Sequence, residues 1–392
     1  MGQRRRRSTG RTAGSKVALV CAGGGITGAV YEIGCLRALE DLLDRSVLDL
    51  DLYVGISGGA FVSSLLANGF SPIEMYDEVA AGRPFGLSST PIFRLGFSDL
   101  ARRSTRAPRV LRDALVTALT GEGRNLSDLA LSLFELLPAG LLDNSGIQTF
   151  LAKLFRARGR SDRFEDLARE LLLVAVDLDT GEAVSFGADG HRSTPISKAV
   201  QASTALPGLY RPVRLGGRDY VDGGVKKTAH INLAIQRGAD LVICINPIVP
   251  ILNVGPKAPL KSHLSNKGVS FVLDQVLRIM LHGRMQYGLE RYAAEHPDVD
   301  ILLIEPTRDD MRMFGYNIMR MSARKVVAED GYRSVVQSVR RNRAAYERVM
   351  KRHGLRLGDP TRLPTRPPRH PHRSPVARAL DSSLDLLDAK LD

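Results

Sequence analysis

Short apolar runs alternate along this chain with longer stretches of helical period. The runs at residues 17–22, 52–56, 171–177, 241–246 and 300–305 are rich in Val, Leu and Ile, and each predicts a strand. Strands separated by helical patterns predict a central, mostly parallel sheet covered on both faces by helices, a three-layer α/β/α fold. Two turn signals add antiparallel hairpins: Asp179-Thr180-Gly181 ahead of residues 182–186, and Gly216-Gly217 between Val213 and Tyr220. From about residue 71 to 166 the pattern is mostly helical. There Leu126, Leu129, Ala130, Leu133, Phe134 and Leu137 recur at helical spacing until Pro138-Ala139-Gly140 ends the segment. That stripe reads either as a core-facing helix or as an apolar cap that meets lipid. Residues 270–295 and 322–350 predict amphipathic helices, and no internal repeat is visible.

Composition narrows the picture little: 44% of residues are apolar and 25% charged, ordinary for a globular protein with a sizeable core. No apolar run approaches the roughly 18 residues that span a bilayer. The arginines at 4–7 precede an apolar stretch too short for a signal peptide, and it reads as the first strand. Cys21, Cys35 and Cys244 lie in core-like runs without metal-ligand spacing, which predicts reduced thiols and a cytoplasmic setting.

Charge changes the picture more. The net charge of +13 is concentrated at the ends. Residues 1–16 hold six basic residues and no acid, and residues 351–378 hold eight against Asp359 alone. This divides the chain into a basic tail at 1–16, a nearly neutral domain at 17–350, a Pro/Arg-rich linker at 351–378 and a short amphipathic helix at 379–392. Polybasic tails suit an anionic membrane surface. They suit phosphates of nucleic acid equally, and also serve as plain solubilising segments.

The chemistry sits in three glycine-rich pieces. Gly55-Ile56-Ser57-Gly58-Gly59 follows a strand and opens a helix, the setting of a nucleophile elbow with Ser57 at its apex. The N–H of Gly58 then lies at a helix N-terminus, where negative charge is stabilised. Gly23-Gly24-Gly25-Ile26-Thr27-Gly28 also follows a strand and satisfies a dinucleotide-binding fingerprint. That rival needs an acid at the end of the second strand, where this chain has Ile56-Ser57. The loop serves better as a cradle for an oxyanion. Asp222, closing a strand ahead of Gly223 and Gly224, is placed to act as a base, or else marks an ordinary turn. The histidines lack such settings: His191 lies in a loop, His230 starts a helix, His282 sits inside one, and His353, His370 and His372 fall in the basic tail. A Ser–Asp dyad is favoured over a triad. No metal cluster is visible, and no cofactor is expected.

In four blocks the chain resembles the patatin-like phospholipases: the loop 23–28, Gly55 to Gly59, Ala202-Ser203-Thr204-Ala205-Leu206-Pro207, and Asp222-Gly223-Gly224. The likeness covers about residues 17–250, and the four blocks together are far more specific than any one. It implies a lipid or phospholipid acyl hydrolase with Ser57 as nucleophile, Asp222 as base, and Gly24 and Gly25 in the oxyanion hole. Gly23 and Gly58 join that hole on the reading of the residues, while Gly28, Gly55, Gly59, Gly223 and Gly224 shape the motifs. Thr27 departs from the basic residue frequent at that place in the family, which removes an electrostatic aid but no N–H. A carboxylate near its ordinary pKa of about 3.9 is a weak base, so the mechanism needs Asp222 partly desolvated. Acyl transfer to another alcohol uses the same dyad. An inactive nucleotide- or nucleic-acid-binding protein is the reading from a different class.

Overall fold

The computed structural model describes residues 14–81, 94–95, 139–255, 258, 260–307, 321–364 and 367. The chain begins with β1 (Val17–Cys21), α1 (Gly25–Leu42), β2 (Leu52–Ile56), α2 (Gly58–Ala67) and α3 (Pro72–Ala80). It continues with β3 (Arg94–Leu95), β4 (Gly140–Asp143), α4 (Ser145–Ala157), β5 (Glu170–Asp177), β6 (Ala183–Phe186) and α5 (Ile196–Ser203). Next come β7 (Gly208–Tyr210), β8 (Val213–Leu215), β9 (Arg218–Asp222), α6 (Ile231–Gln236) and β10 (Leu241–Ile245). The last elements are α7 (Val269–Glu295), β11 (Asp300–Ile304), α8 (Met321–Arg341) and α9 (Arg343–Arg352). The fold class is α/β, a mixed central sheet with flanking helices in the three-layer α/β/α manner. The apolar stripe expected at 126–137, the first thirteen residues and the stretch from 368 onward lie outside the described residues.

Two compact units divide the chain. The first takes residues 1–88, 166–172 and 227–392, the second 89–165 and 173–226. In the first unit the strand order is β11-β10-β1-β2, and every pair is parallel. All residues of β1, β2 and β10 are buried. A parallel strand covered on both faces has no polar side to show, which is why these segments read as unbroken apolar runs. The described residues hold no helix long and apolar enough to cross a membrane.

Helices α1 and α8 pack at backbone contact within this unit. A Cβ on Gly34 would lie 2.0 Å from the Ala328 carbonyl oxygen, and one on Gly331 would lie 2.3 Å from that of Tyr31. The two glycines are reciprocal notches. Tyr31 adds a hydrogen bond from its hydroxyl to Ser334 Oγ, at 2.9 Å. Gly34→Val is therefore expected to destabilise the first unit by about 3 kcal/mol or more, since overpacking here meets backbone rather than a movable side chain. A lowered midpoint in denaturant at unchanged slope checks this, and an unchanged midpoint refutes it.

The second unit is antiparallel where the sequence carries turn signals. β5 pairs β6 with Leu173 opposite Phe186, and β8 pairs β9 with Val213 opposite Tyr220. The Asp-Thr-Gly and Gly-Gly turns reverse the chain at these hairpins, so the sheet is mixed. β9 also runs antiparallel to β5, with Asp222 opposite Ala175. A small second sheet joins β3, β4 and β7.

Asp177 organises the first hairpin. Its Oδ1 accepts the N–H groups of Asp179 and Thr180, and its Oδ2 accepts from Arg218 Nη1 at 2.6 Å. The hydrogen bond from Arg218 is the main cause holding its carboxyl below the usual range, with burial opposing it. A folded-state value below the unfolded one stabilises above the ordinary carboxylate pKa and is lost as pH falls through the folded value. Arg218→Met is accordingly expected to lower stability at neutral pH, with the gap to the wild type closing on acidification. Melting temperatures between pH 7 and pH 3 measure it; a gap independent of pH would contradict the pairing.

Candidate active site

Ser57 sits between the end of β2 and the start of α2 with φ 55° and ψ −126°. Among the described residues it is the sole non-glycine at positive φ. Such a conformation costs on the order of 1–3 kcal/mol and persists only where its surroundings impose it. Here they do: a Cβ on Gly59 would stand 2.3 Å from the Cys21 carbonyl oxygen, which clamps the start of α2 onto β1. The helix begins at Gly58, directly after Ser57.

The glycine loop lies against this turn. Gly23 has φ 100°, and a Cβ there would come 2.5 Å from the Ile56 carbonyl oxygen and 2.8 Å from Ser57 Cβ. Gly24, at φ 102°, precedes the first residue of α1. A Cβ on Gly58 would meet the Gly25 carbonyl oxygen at 2.4 Å, so the starts of α1 and α2 adjoin beside Ser57. First-turn N–H groups have no intrahelical acceptor, and a helix start carries partial positive charge. Ser57 thus lies beside two helix starts, at Gly25 and Gly58. Gly23, placed among those donors on sequence grounds, differs: its N–H donates to Glu32 Oε1 at 3.0 Å. That bond engages the amide of Gly23 with α1.

Asp222 belongs to the second unit. It closes β9, is 3% exposed, and its Oδ1 accepts the Gly224 N–H at 2.8 Å, capping the short 3-10 turn Gly223–Val225. Its own N–H donates to the Ala205 carbonyl at 3.0 Å. That bond joins the Asp-Gly-Gly block to Ala202-Ser203-Thr204-Ala205-Leu206-Pro207. Ser203 Oγ donates to the Val174 carbonyl at 2.5 Å and ties α5 to β5. Two of the four motif blocks therefore meet in the first unit, around Ser57, and two in the second, around Asp222.

The histidines fall elsewhere, with one correction. His353, assigned to the basic tail by composition, is 7% exposed in the first unit. Its Nε2 bonds Asp300 Oδ2 at 2.7 Å and its Nδ1 bonds Ser15 Oγ at 2.6 Å. The set superficially repeats Ser–His–Asp. It lies where β1 and β11 begin, whereas Ser57 follows the end of β2, so the two occupy opposite edges of the parallel strands. The ring also binds its acid through Nε2, the reverse of the catalytic arrangement. Its role is to fasten the turn after α9 beneath the sheet. Leu357 goes on to bridge Leu43, and Arg340 donates to the Pro360 carbonyl, so packing continues beyond residue 350. His230 immediately precedes α6 and is buried. His191 stacks edge-on against Phe186.

No group of three or more His, Cys, Asp or Glu suited to a metal occurs among the described residues. Cys21, Cys35 and Cys244 are buried and are not joined in disulfides. One residue escaped sequence reading altogether: Glu32, an acid in the middle of the apolar stretch Val30–Leu36, fully buried beneath the glycine loop. Its signal was that isolation among apolar neighbours on a helix.

Comparison with known proteins bears on the same segments. The model of the family described as patatin-like phospholipase matches residues 19–235. An uncharacterized NTE family protein of Mycobacterium tuberculosis is 28% identical over 238 residues, 60% of this chain and 31% of that protein. A probable lipid hydrolase of Invertebrate iridescent virus 6 is 22% identical over 218 residues, 56% of this chain and 63% of the viral one. The chain thus spans about a third of the length of the mycobacterial relatives it matches. Among solved structures, VipD from Legionella pneumophila aligns with a TM-score of 0.37 at 16% identity, covering 83% of this chain and 66% of that one. The matched residues begin inside β1, run through both the serine turn and the Asp-Gly-Gly block, and end in α6; this chain belongs to the patatin-like phospholipase family.

Proposed function

We propose that the chain is a lipid acyl hydrolase of the phospholipase A or lipase type, working through a Ser57–Asp222 dyad. The observation that carries this reading is the imposed positive φ of Ser57 between two helix starts and a glycine loop. A strained serine packed this way has no structural purpose that an unstrained glycine would not serve better. Membership of the family supplies the substrate class.

In this reading Ser57 Oγ attacks the acyl carbonyl while Asp222 takes its proton directly. The N–H groups of Gly24, Gly25 and Gly58 hold the oxyanion. Collapse expels the alcohol, which leaves with the proton returned by Asp222. Water then attacks the acyl-enzyme, its proton passing to Asp222; the adduct collapses, Asp222 returns that proton to Ser57 Oγ, and the fatty acid departs. The burial of Asp222 supports direct proton transfer, since no bulk water competes for the carboxylate. The glycine loop fits a dinucleotide poorly: the residue ending β2 is followed by Ser57 instead of the acid that holds a ribose. Labelling of Ser57 by a fluorophosphonate, together with fatty-acid release from a panel of phospholipids and glycerides, tests the proposal. Release that survives Ser57→Ala unchanged would end it.

A further inference from the structure

Glu32 occupies the second turn of α1 and has no exposed surface. Its Oε1 accepts the Gly23 N–H at 3.0 Å, and its Oε2 is buried with no hydrogen-bond partner. A buried carboxyl bonded on one oxygen alone is an expensive group to keep. Burial pushes it well above the usual carboxylate range, and the Gly23 N–H pulls it back by less. Its Oε1 is thereby the acceptor that holds the Gly23 N–H. Near it lie the thiols of Cys21 and Cys244, at the ends of β1 and β10, both pushed up by burial.

The consequence for the loop follows from peptide geometry. Gly23 is held from both ends: its N–H by Glu32, and its carbonyl oxygen against Gly28, where an added Cβ would lie 2.1 Å from it. In a trans peptide the C=O and the next N–H point in opposite directions. A Gly23 carbonyl facing α1 thus turns the Gly24 N–H away from α1. If Gly23 relaxed from φ 100°, both would swing together.

We propose that Glu32 is a positioning residue for the oxyanion loop: as a buried hydrogen-bond acceptor it locks the Gly23 peptide, and so aims the Gly24 amide. The inference deepens the hydrolase reading and rests on it.

The test compares Glu32→Gln with Glu32→Met in the full chain, using hydrolysis of p-nitrophenyl butyrate, with circular dichroism to confirm folding. Glutamine keeps an acceptor on a side chain of the same length, and its kcat is expected within about threefold of wild type. Methionine fills the space without an acceptor. A misaimed donor costs about 10²-fold, so its kcat is expected to fall by that order with KM changed little. A merely structural role would lower melting temperature without splitting kcat from KM. Equal kcat in Glu32→Met and wild type overturns the inference while leaving the hydrolase reading intact. So does a tenfold or greater loss in folded Glu32→Gln, which remains a decisive arm even where Glu32→Met does not fold. Absence of turnover in the wild type would instead end the hydrolase reading, and this inference with it.

Discussion

Ser57→Ala is expected to lower acyl-ester turnover by at least about 10⁴-fold and to abolish fluorophosphonate labelling. The size follows from what remains: without the nucleophile, only oxyanion donors and binding are left, and in serine hydrolases these retain a small residue of the full acceleration. The fold should not register the change. Alanine keeps the Cβ, and hence the same strain at φ 55°, and the clamp at Gly59 does not involve the hydroxyl. Ser57→Gly separates the two roles. It also removes the nucleophile but relieves a conformation costing on the order of 1–3 kcal/mol, against about 0.5–1 kcal/mol of added chain entropy. Melting temperature should thus rank Ser57→Gly at or above wild type, with both variants inactive. A Ser57→Gly protein less stable than Ser57→Ala would mean that the turn is not strained.

Asp222→Asn should cost about 10²–10⁴-fold in kcat, the range of general-base catalysis, with KM little affected. Asparagine preserves shape, and its carbonyl oxygen can still accept the Gly224 N–H, so the 3-10 turn and the bond from the Asp222 N–H to Ala205 persist. What is lost is the capacity to take a proton. Fluorophosphonate labelling should slow in parallel, because it needs the same activated hydroxyl. Combining the substitution with Ser57→Ala should add almost nothing, since residues acting as one unit are not additive. Kinetics and labelling rates of the single and double variants decide it. Wild-type labelling in Asp222→Asn would remove the carboxylate from the chemistry and reopen the search for a base.

The glutamate beneath the loop shows why local signals go only so far. The elbow at Ser57 was legible because strand, turn and helix follow one another within ten residues, each with its own residue preferences. The hairpins were legible for the same reason, as Asp-Thr-Gly and Gly-Gly carry their geometry with them. Strand limits agree within a residue, β5 starting at Glu170 and β11 ending at Ile304. Around Glu32 no such signal exists, because a nine-residue separation from Gly23 becomes a hydrogen bond only once α1 folds back along β1. The predicted helix at 322–350 is in fact α8 and α9, broken at Asn342, a boundary that helical period alone does not mark.

From the residues alone came the strand set, the α/β class, the serine on its turn and the family's four blocks, all consequences of short-range conformational preference and of apolar runs that must be buried. Tertiary structure decided the rest: the bond from the Gly23 N–H to Glu32, the notches of Gly34 and Gly331, and His353 held between Ser15 and Asp300. The last two unite segments some 300 residues apart. Their partners are selected by how closely backbones approach and which way side chains point, and those quantities exist only after the chain has packed.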